Sequence, residues 1–147
     1  MHQITIQRAV RSKAIPPNKQ LKLWGLASLR LQSDPSLVTI RIVNIPEMTA
    51  LNSRYRQKSG PTNVLSFPIQ VREGKRFMLG DIIICAPIVQ QEALAQHKSS
   101  QAHWAHMIIH GSLHLLGYDH ITEEDAIRME SEEIKILASL GFANPYQ

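Results

Sequence analysis

Apolar residues recur along this chain with two different periods, two in some stretches and near 3.6 in others. The first marks a strand with one buried face, the second an amphipathic helix. Gln3 to Arg8 alternates, with Ile4 and Ile6 to one side, and predicts a short strand. Pro16-Pro17 can open a helix but not sit inside one. From Asn18 the positions of Leu21, Trp24, Leu26, Leu29 and Leu31 predict a helix that closes near Ser33-Asp34-Pro35. Leu37 to Val43 is β-branched and alternating, a second strand. Residues 44–46 turn the chain, and Glu47 to Arg56 predicts a second helix. A polar loop over 57–63 leads to a third strand, Val64 to Ile69, which Pro68 confines to a sheet edge because proline cannot donate to the ladder. Val71 to Met78 reads as a basic turn with Gly74 at its apex, Leu79 to Ile84 as the last strand, and Ala86 to His97 as a third helix.

The next segment carries the chemistry. Ser99-Ser100 can cap a helix, and at about 100° per residue His103, His106, His110 and His114 share one sector of it. Ala105, Ile108, Ile109, Ser112, Leu115 and Leu116 lie opposite, so the expectation is one packed face and one histidine face. Glu123-Glu124-Asp125 then suits a helix N-terminus. That last helix would pack through Ile127, Ile134, Leu137 and Leu140, and Gly141 would end it. The order predicts an α+β fold, one domain over 1–147. A mixed sheet of about four strands would pack with about five helices, with the histidine helix across one face.

His110-Gly111-Ser112-Leu113-His114-Leu115-Leu116-Gly117-Tyr118-Asp119-His120 reduces to H-x3-H-x2-G-x2-H. Residues four apart lie one turn apart on a helix, so His110 and His114 can address one atom. Gly117 supplies the left-handed exit that returns the chain with His120. Three imidazoles with a fourth position open form the donor set of a catalytic rather than a structural zinc site, although nickel, copper and iron accept it too. His106 stands a turn too far to complete the site with His120 and reads as a group behind a ligand, a group facing substrate, or a solvated polar residue with no part in the site. Asp119 could orient a ligand, take a proton or cap its turn. The spacing is similar to the metzincin signature H-E-x-x-H-x-x-G-x-x-H, but Gly111 stands where the catalytic Glu would be. Peptide hydrolysis needs that base, so a zincin-like protease is the weakest reading.

Composition narrows the field. A hydrophobic share of 44% with 19% charged residues is ordinary for a globular chain, and no apolar run approaches a membrane span. The first residues have no signal-peptide pattern. Cys85 is the only cysteine, which excludes an intramolecular disulfide, fits a reducing cytoplasm and suggests a buried apolar side chain. Charge is lopsided: residues 1–76 hold 13 Lys and Arg against three acidic residues, and residues 77–147 hold three against nine. A basic half beside a metal-binding half fits an anionic substrate, nucleic acid above all.

The histidine block, preceded by His103-Trp104-Ala105-His106, closely resembles the YbeY family of bacterial rRNA maturation factors. Leu51-Asn52-Ser53-Arg54-Tyr55-Arg56, Pro61-Thr62-Asn63-Val64-Leu65-Ser66-Phe67-Pro68 and Leu79-Gly80-Asp81-Ile82 match in the same order. The resemblance implies a cytoplasmic, metal-dependent endoribonuclease specific for single strands, acting in 16S rRNA processing and ribosome quality control. It implies partners on the small ribosomal subunit and an Era-type GTPase. Arg56 matches the arginine that the family places near its metal, where a guanidinium can bind a phosphate through two donors and stabilise developing charge. Arg54, Lys58, Arg72, Lys75 and Arg76 are candidates for the RNA path, and Asp81 reads as fixing the sheet edge near the site or as a group behind the metal ligands. Asn63 and Ser66 read as structural. The remaining alternative is a ribosome assembly factor in which the metal only holds the fold. Whether purified protein cleaves single-stranded RNA separates that reading from the enzyme.

Overall fold

The computed structural model describes residues 1–147. Its four strands, β1 (Gln3–Arg8), β2 (Ser36–Val43), β3 (Val64–Glu73) and β4 (Arg76–Cys85), form one mixed sheet in the order β1-β2-β4-β3. β1 and β2 run parallel, β2 and β4 run parallel, and β3 pairs antiparallel with β4. Five helices accompany the sheet: α1 (Asn18–Ser28), α2 (Ile45–Arg56), α3 (Ala86–Ala95), α4 (Ser100–Leu115) and α5 (Glu123–Ser139). The expected α+β architecture is the one observed.

Alternation divides the sheet between two cores. Val38, Ile40 and Ile42 of β2 and Ile82 and Ile84 of β4 face the principal core, with Leu21 and Trp24 of α1 and Trp104, Ile108 and Leu115 of α4. The opposite face carries a small cluster of Val43, Leu65, Ile83 and Cys85, closed by Met48 of α2. Cys85 is buried, as its type suggested.

Three expectations shift. The 71–78 stretch is no broad turn: β3 runs to Glu73 and β4 starts at Arg76, leaving a tight turn at Gly74-Lys75. This end of the hairpin projects beyond the core, both its faces meet water, and no apolar alternation marks it. Pro68 does lie on the edge strand, and a bulge follows between Pro68 and Val71. α1 stops at Ser28, with one 3-10 turn over Leu29–Leu31, and buries Leu21, Trp24 and Leu29 while Leu26 and Leu31 stay exposed. α5 is rotated from the expected face: Ile127 is exposed, and Met129, Glu133, Ile136 and Leu137 are buried. A glutamate within its buried stripe hid the true phase.

Candidate metal centre

α4 is capped at its N-terminus by Ser99, whose Oγ accepts from the Ala102 N–H. It runs along the inner face of β3 and β4, where Ser66 Oγ donates to the Gly111 carbonyl at 2.9 Å. A Cβ at Gly111 would lie 2.8 Å from Ile82 Cγ2 and 3.2 Å from Ser66 Oγ. Only glycine lets helix and sheet approach this closely. The same contact explains the missing Glu of the metzincin pattern, since this position faces packed sheet and has no room for a carboxylate. The two-faced expectation for α4 needs correcting: His103 and His106 are buried along with the apolar side. α3 and α5 flank the helix and cover its histidine sector.

The helix closes with paired bonds, Gly117 N to His114 O at 3.1 Å and Tyr118 N to Leu113 O at 3.0 Å. This Schellman arrangement needs a left-handed residue, and Gly117 has φ +100°. The turn brings His120 back toward the helix, and Asp119 Oδ1 holds it by accepting from His120 N at 2.7 Å. One ring nitrogen from each of His110, His114 and His120 falls within 4.8 Å of the others.

Hydrogen bonds fix two of the three tautomers. The Tyr118 carbonyl can only accept, so His114 Nδ1, 3.1 Å away, is its donor. Glu133 Oε2 lies 2.7 Å from His110 Nδ1. Burial alone would raise the Glu133 carboxyl, but hydrogen bonds from His106, His110 and Tyr146 outweigh it and hold the pKa down at about 2. Glu133 is thus an acceptor and His110 Nδ1 a donor. Both Nε2 atoms then present lone pairs to each other at 3.2 Å. Two such lone pairs repel unless a proton or a metal ion lies between them, and with the third ring nitrogen of His120 beside them the donor set fits a metal. Burial also holds His114 below its ordinary pKa, with His110 and His120 adding to the effect, which keeps its ring neutral for ligation.

These histidines line one side of a cleft of about 700 Å³. Arg56, the last residue of α2, lies on its wall together with Asn63 and Ser66. Gln57 ends α2 in the left-handed conformation and turns the polar loop toward the cleft. Asn63 is held by Glu92, to which its Nδ2 donates at 3.1 Å, while its Oδ1 caps β3 by accepting from Val64 N. Asn63 and Ser66 therefore have the structural bonds expected of them and also face the cleft.

The remaining candidates separate. His106 is buried rather than solvated, its Nε2 3.3 Å from Glu133 and 3.3 Å from the Tyr146 hydroxyl, so it stands behind the three convergent histidines and outside the cleft lining. Asp119 lines the cleft and caps its turn. Asp81 pairs in register with Phe67, on the sheet face opposite α4, so it does not back the histidines. Burial raises its pKa. Arg54, Lys58, Arg72, Lys75 and Arg76 are exposed and lie outside the cleft lining. Arg72 is bound to Asp34 at 3.0 Å. Two residues of the site escaped the sequence reading, Glu133 and Tyr146. A lone carboxylate in the apolar stripe of α5 was the available signal for the first; Tyr146 had none.

The family model described as Endoribonuclease YbeY matches residues 18–141. A Methylococcus capsulatus protein named Endoribonuclease YbeY is 53% identical over 148 residues, covering 100% of this chain and 97% of that protein. A Coxiella burnetii protein of the same name is 48% identical over 151 residues, covering 100% and 99%. A solution structure from Thermotoga maritima shares the fold, with a TM-score of 0.60 at 23% identity over 94% of this chain and 91% of that one.

Proposed function

The chain belongs to the YbeY family of endoribonucleases, and on that footing we propose that it is a metal-dependent endoribonuclease of rRNA maturation whose metal is zinc held by His110, His114 and His120. The observation that carries the reading is the pair of Nε2 lone pairs aimed at each other across 3.2 Å, with His120 beside them and Arg56 on the wall of the same cleft. When bound, the metal supplies a Lewis acid that polarises a phosphodiester oxygen and lowers the pKa of bound water.

The chain's own groups do the rest. The backbone carbonyl of Tyr118 and the carboxylate of Glu133 hold two imidazoles with their donor atoms forward. Arg56 binds a non-bridging phosphate oxygen pair and stabilises the charge that develops there. Its placement at the end of a helix, followed by a loop tied down through Asn63, fixes where the phosphate rests. A cleft open to solvent suits an unpaired strand, which can enter one nucleotide at a time. The substrate is then single-stranded ribosomal RNA, 16S rRNA on the small subunit. An Era-type GTPase as partner, a part in ribosome quality control and a cytoplasmic setting complete the reading. No helix is long and apolar enough to cross a membrane.

The test is cleavage of a labelled single-stranded RNA by purified protein with zinc restored. His114→Ala, prepared identically, should lose the activity, because two imidazoles do not hold the metal. Equal cleavage by parent and His114→Ala would exclude the proposed site.

A further inference from the structure

A carboxylate on the packed face of a helix is strongly disfavoured unless its lone pairs are used. Glu133 is fully buried, and no Lys or Arg pairs with it; its partners are two imidazoles and a phenol. Its Oε2 accepts from His110 Nδ1 at 2.7 Å and lies 3.3 Å from His106 Nε2, and its Oε1 accepts from the Tyr146 hydroxyl. A leucine would satisfy packing alone, so the packing gives no reason for the charge. Its direction does. Of the three ligands, His114 is oriented by a backbone carbonyl, the ring of His120 makes no hydrogen bond to the protein outside the histidine cluster, and His110 is oriented by Glu133.

Tyr146 comes from the segment after α5. Gly141 turns the chain, Phe142 anchors it edge-on against Trp24 with ring centroids 6.0 Å apart, and Asn144 Oδ1 accepts from Tyr146 N at 2.8 Å. That path brings the phenol to Glu133 and sets its ring edge-on to His106, with centroids 5.5 Å apart. Tyr146, Glu133 and Met129 wall a recess of about 260 Å³ behind His110 and His120.

We propose that Glu133 is a positioning residue of the metal site, acting through His110, and that Tyr146 holds Glu133 in turn, so that residues 143–147 form part of the site. The carboxylate fixes the ring orientation and tautomer of His110 and makes its Nε2 a stronger donor. The phenol directs the carboxylate and shields it from water.

This rests on the three histidines holding a metal, and the experiment separates the two ideas. Zn²⁺ affinity is measured by chelator competition, Co²⁺ absorption spectra are recorded, and the metal-free proteins are melted. The set is the parent, Glu133→Gln, Tyr146→Phe and the double variant. Glu133→Gln should bind Zn²⁺ roughly 10–100-fold more weakly and change the Co²⁺ ligand-field bands. Tyr146→Phe should weaken binding by about 2–10-fold, the scale of one hydrogen bond, and add nothing in the Glu133→Gln background. The proposal is overturned if Glu133→Gln binds Zn²⁺ within twofold of the parent, whatever its melting temperature, or if the two effects add. Should Glu133→Gln fail to fold, Tyr146→Phe decides: unchanged Zn²⁺ affinity and Co²⁺ spectrum overturn the proposal. A parent that binds no Zn²⁺ overturns the metal centre itself.

Discussion

Gly111→Ala tests the seam on which the whole site rests. One added methyl would sit 2.8 Å from Ile82 Cγ2, 3.2 Å from Ser66 Oγ and 3.3 Å from Val64 Cγ2, where ordinary carbon contacts need about 3.5–4.0 Å. Ile82 is fully buried and β-branched, with little rotamer freedom to yield, so α4 must back away by more than half an ångström. Replacing a helical glycine by alanine favours the helix by about 1 kcal/mol. Overpacking a closed core costs about 1–3 kcal/mol, and three simultaneous close contacts put this site in the upper part of that range. The Ser66–Gly111 hydrogen bond is stretched as well. The net is a loss of about 1–2 kcal/mol, or roughly 2–8 °C in melting temperature for a domain of this size. Calorimetry of the metal-free protein measures it, and chelator competition follows Zn²⁺, whose affinity should fall because His110 and His114 ride on the displaced helix. A Gly111→Ala protein that melts at or above the parent temperature refutes the seam. Gly111→Glu, which writes the protease motif into the chain, should yield no folded protein, since it buries a charge where a methyl barely fits.

Arg56→Ala should keep the parent melting temperature and Zn²⁺ content while RNA cleavage falls about a hundredfold or more, with Arg56→Lys recovering only part of it for want of the bidentate fork; parent-level cleavage by Arg56→Ala ends that assignment. Glu133 titrates at about 2 in the folded chain against an ordinary 4.5. A depressed carboxylate stabilises the fold above its unfolded pKa, and that contribution disappears as pH falls through the folded value. Urea unfolding of the metal-free protein should therefore show stability falling between pH 4.5 and 2, by at most about 3 kcal/mol, and Glu133→Gln should flatten the curve. Affinity for single-stranded RNA should drop steeply from low to physiological salt, and the salt slope should shrink in an Arg54→Ala, Lys58→Ala double variant if those side chains meet phosphates. An unchanged slope removes them from the RNA path.

The sequence by itself determined the strands, the helices and the convergence of the three histidines, because each is written in short-range spacing. β1 alternates over six residues, His110 and His114 are one helical turn apart, and Gly117 with Tyr118 closes α4 through bonds that span only five positions. Local geometry converts such spacing directly into direction. Where an element leaves the core the pattern fades, and the outer part of the β3–β4 hairpin was lost in a run of charges for that reason.

Only the tertiary structure decided what stands behind the triad. Glu133 lies 23 positions from His110 and Tyr146 lies 40 positions from His106, and no periodicity links residues on separate elements. Their pairing depends on how α5 is rotated against α4, which packing of the whole stripe sets. Asp81 makes the same point in reverse: it belongs to one of the motif blocks that carry the family resemblance, yet strand alternation turns it to the sheet face opposite the histidine helix. Even the choice of glycine at 111 was set by the distance between a helix and a sheet, a quantity no single segment contains.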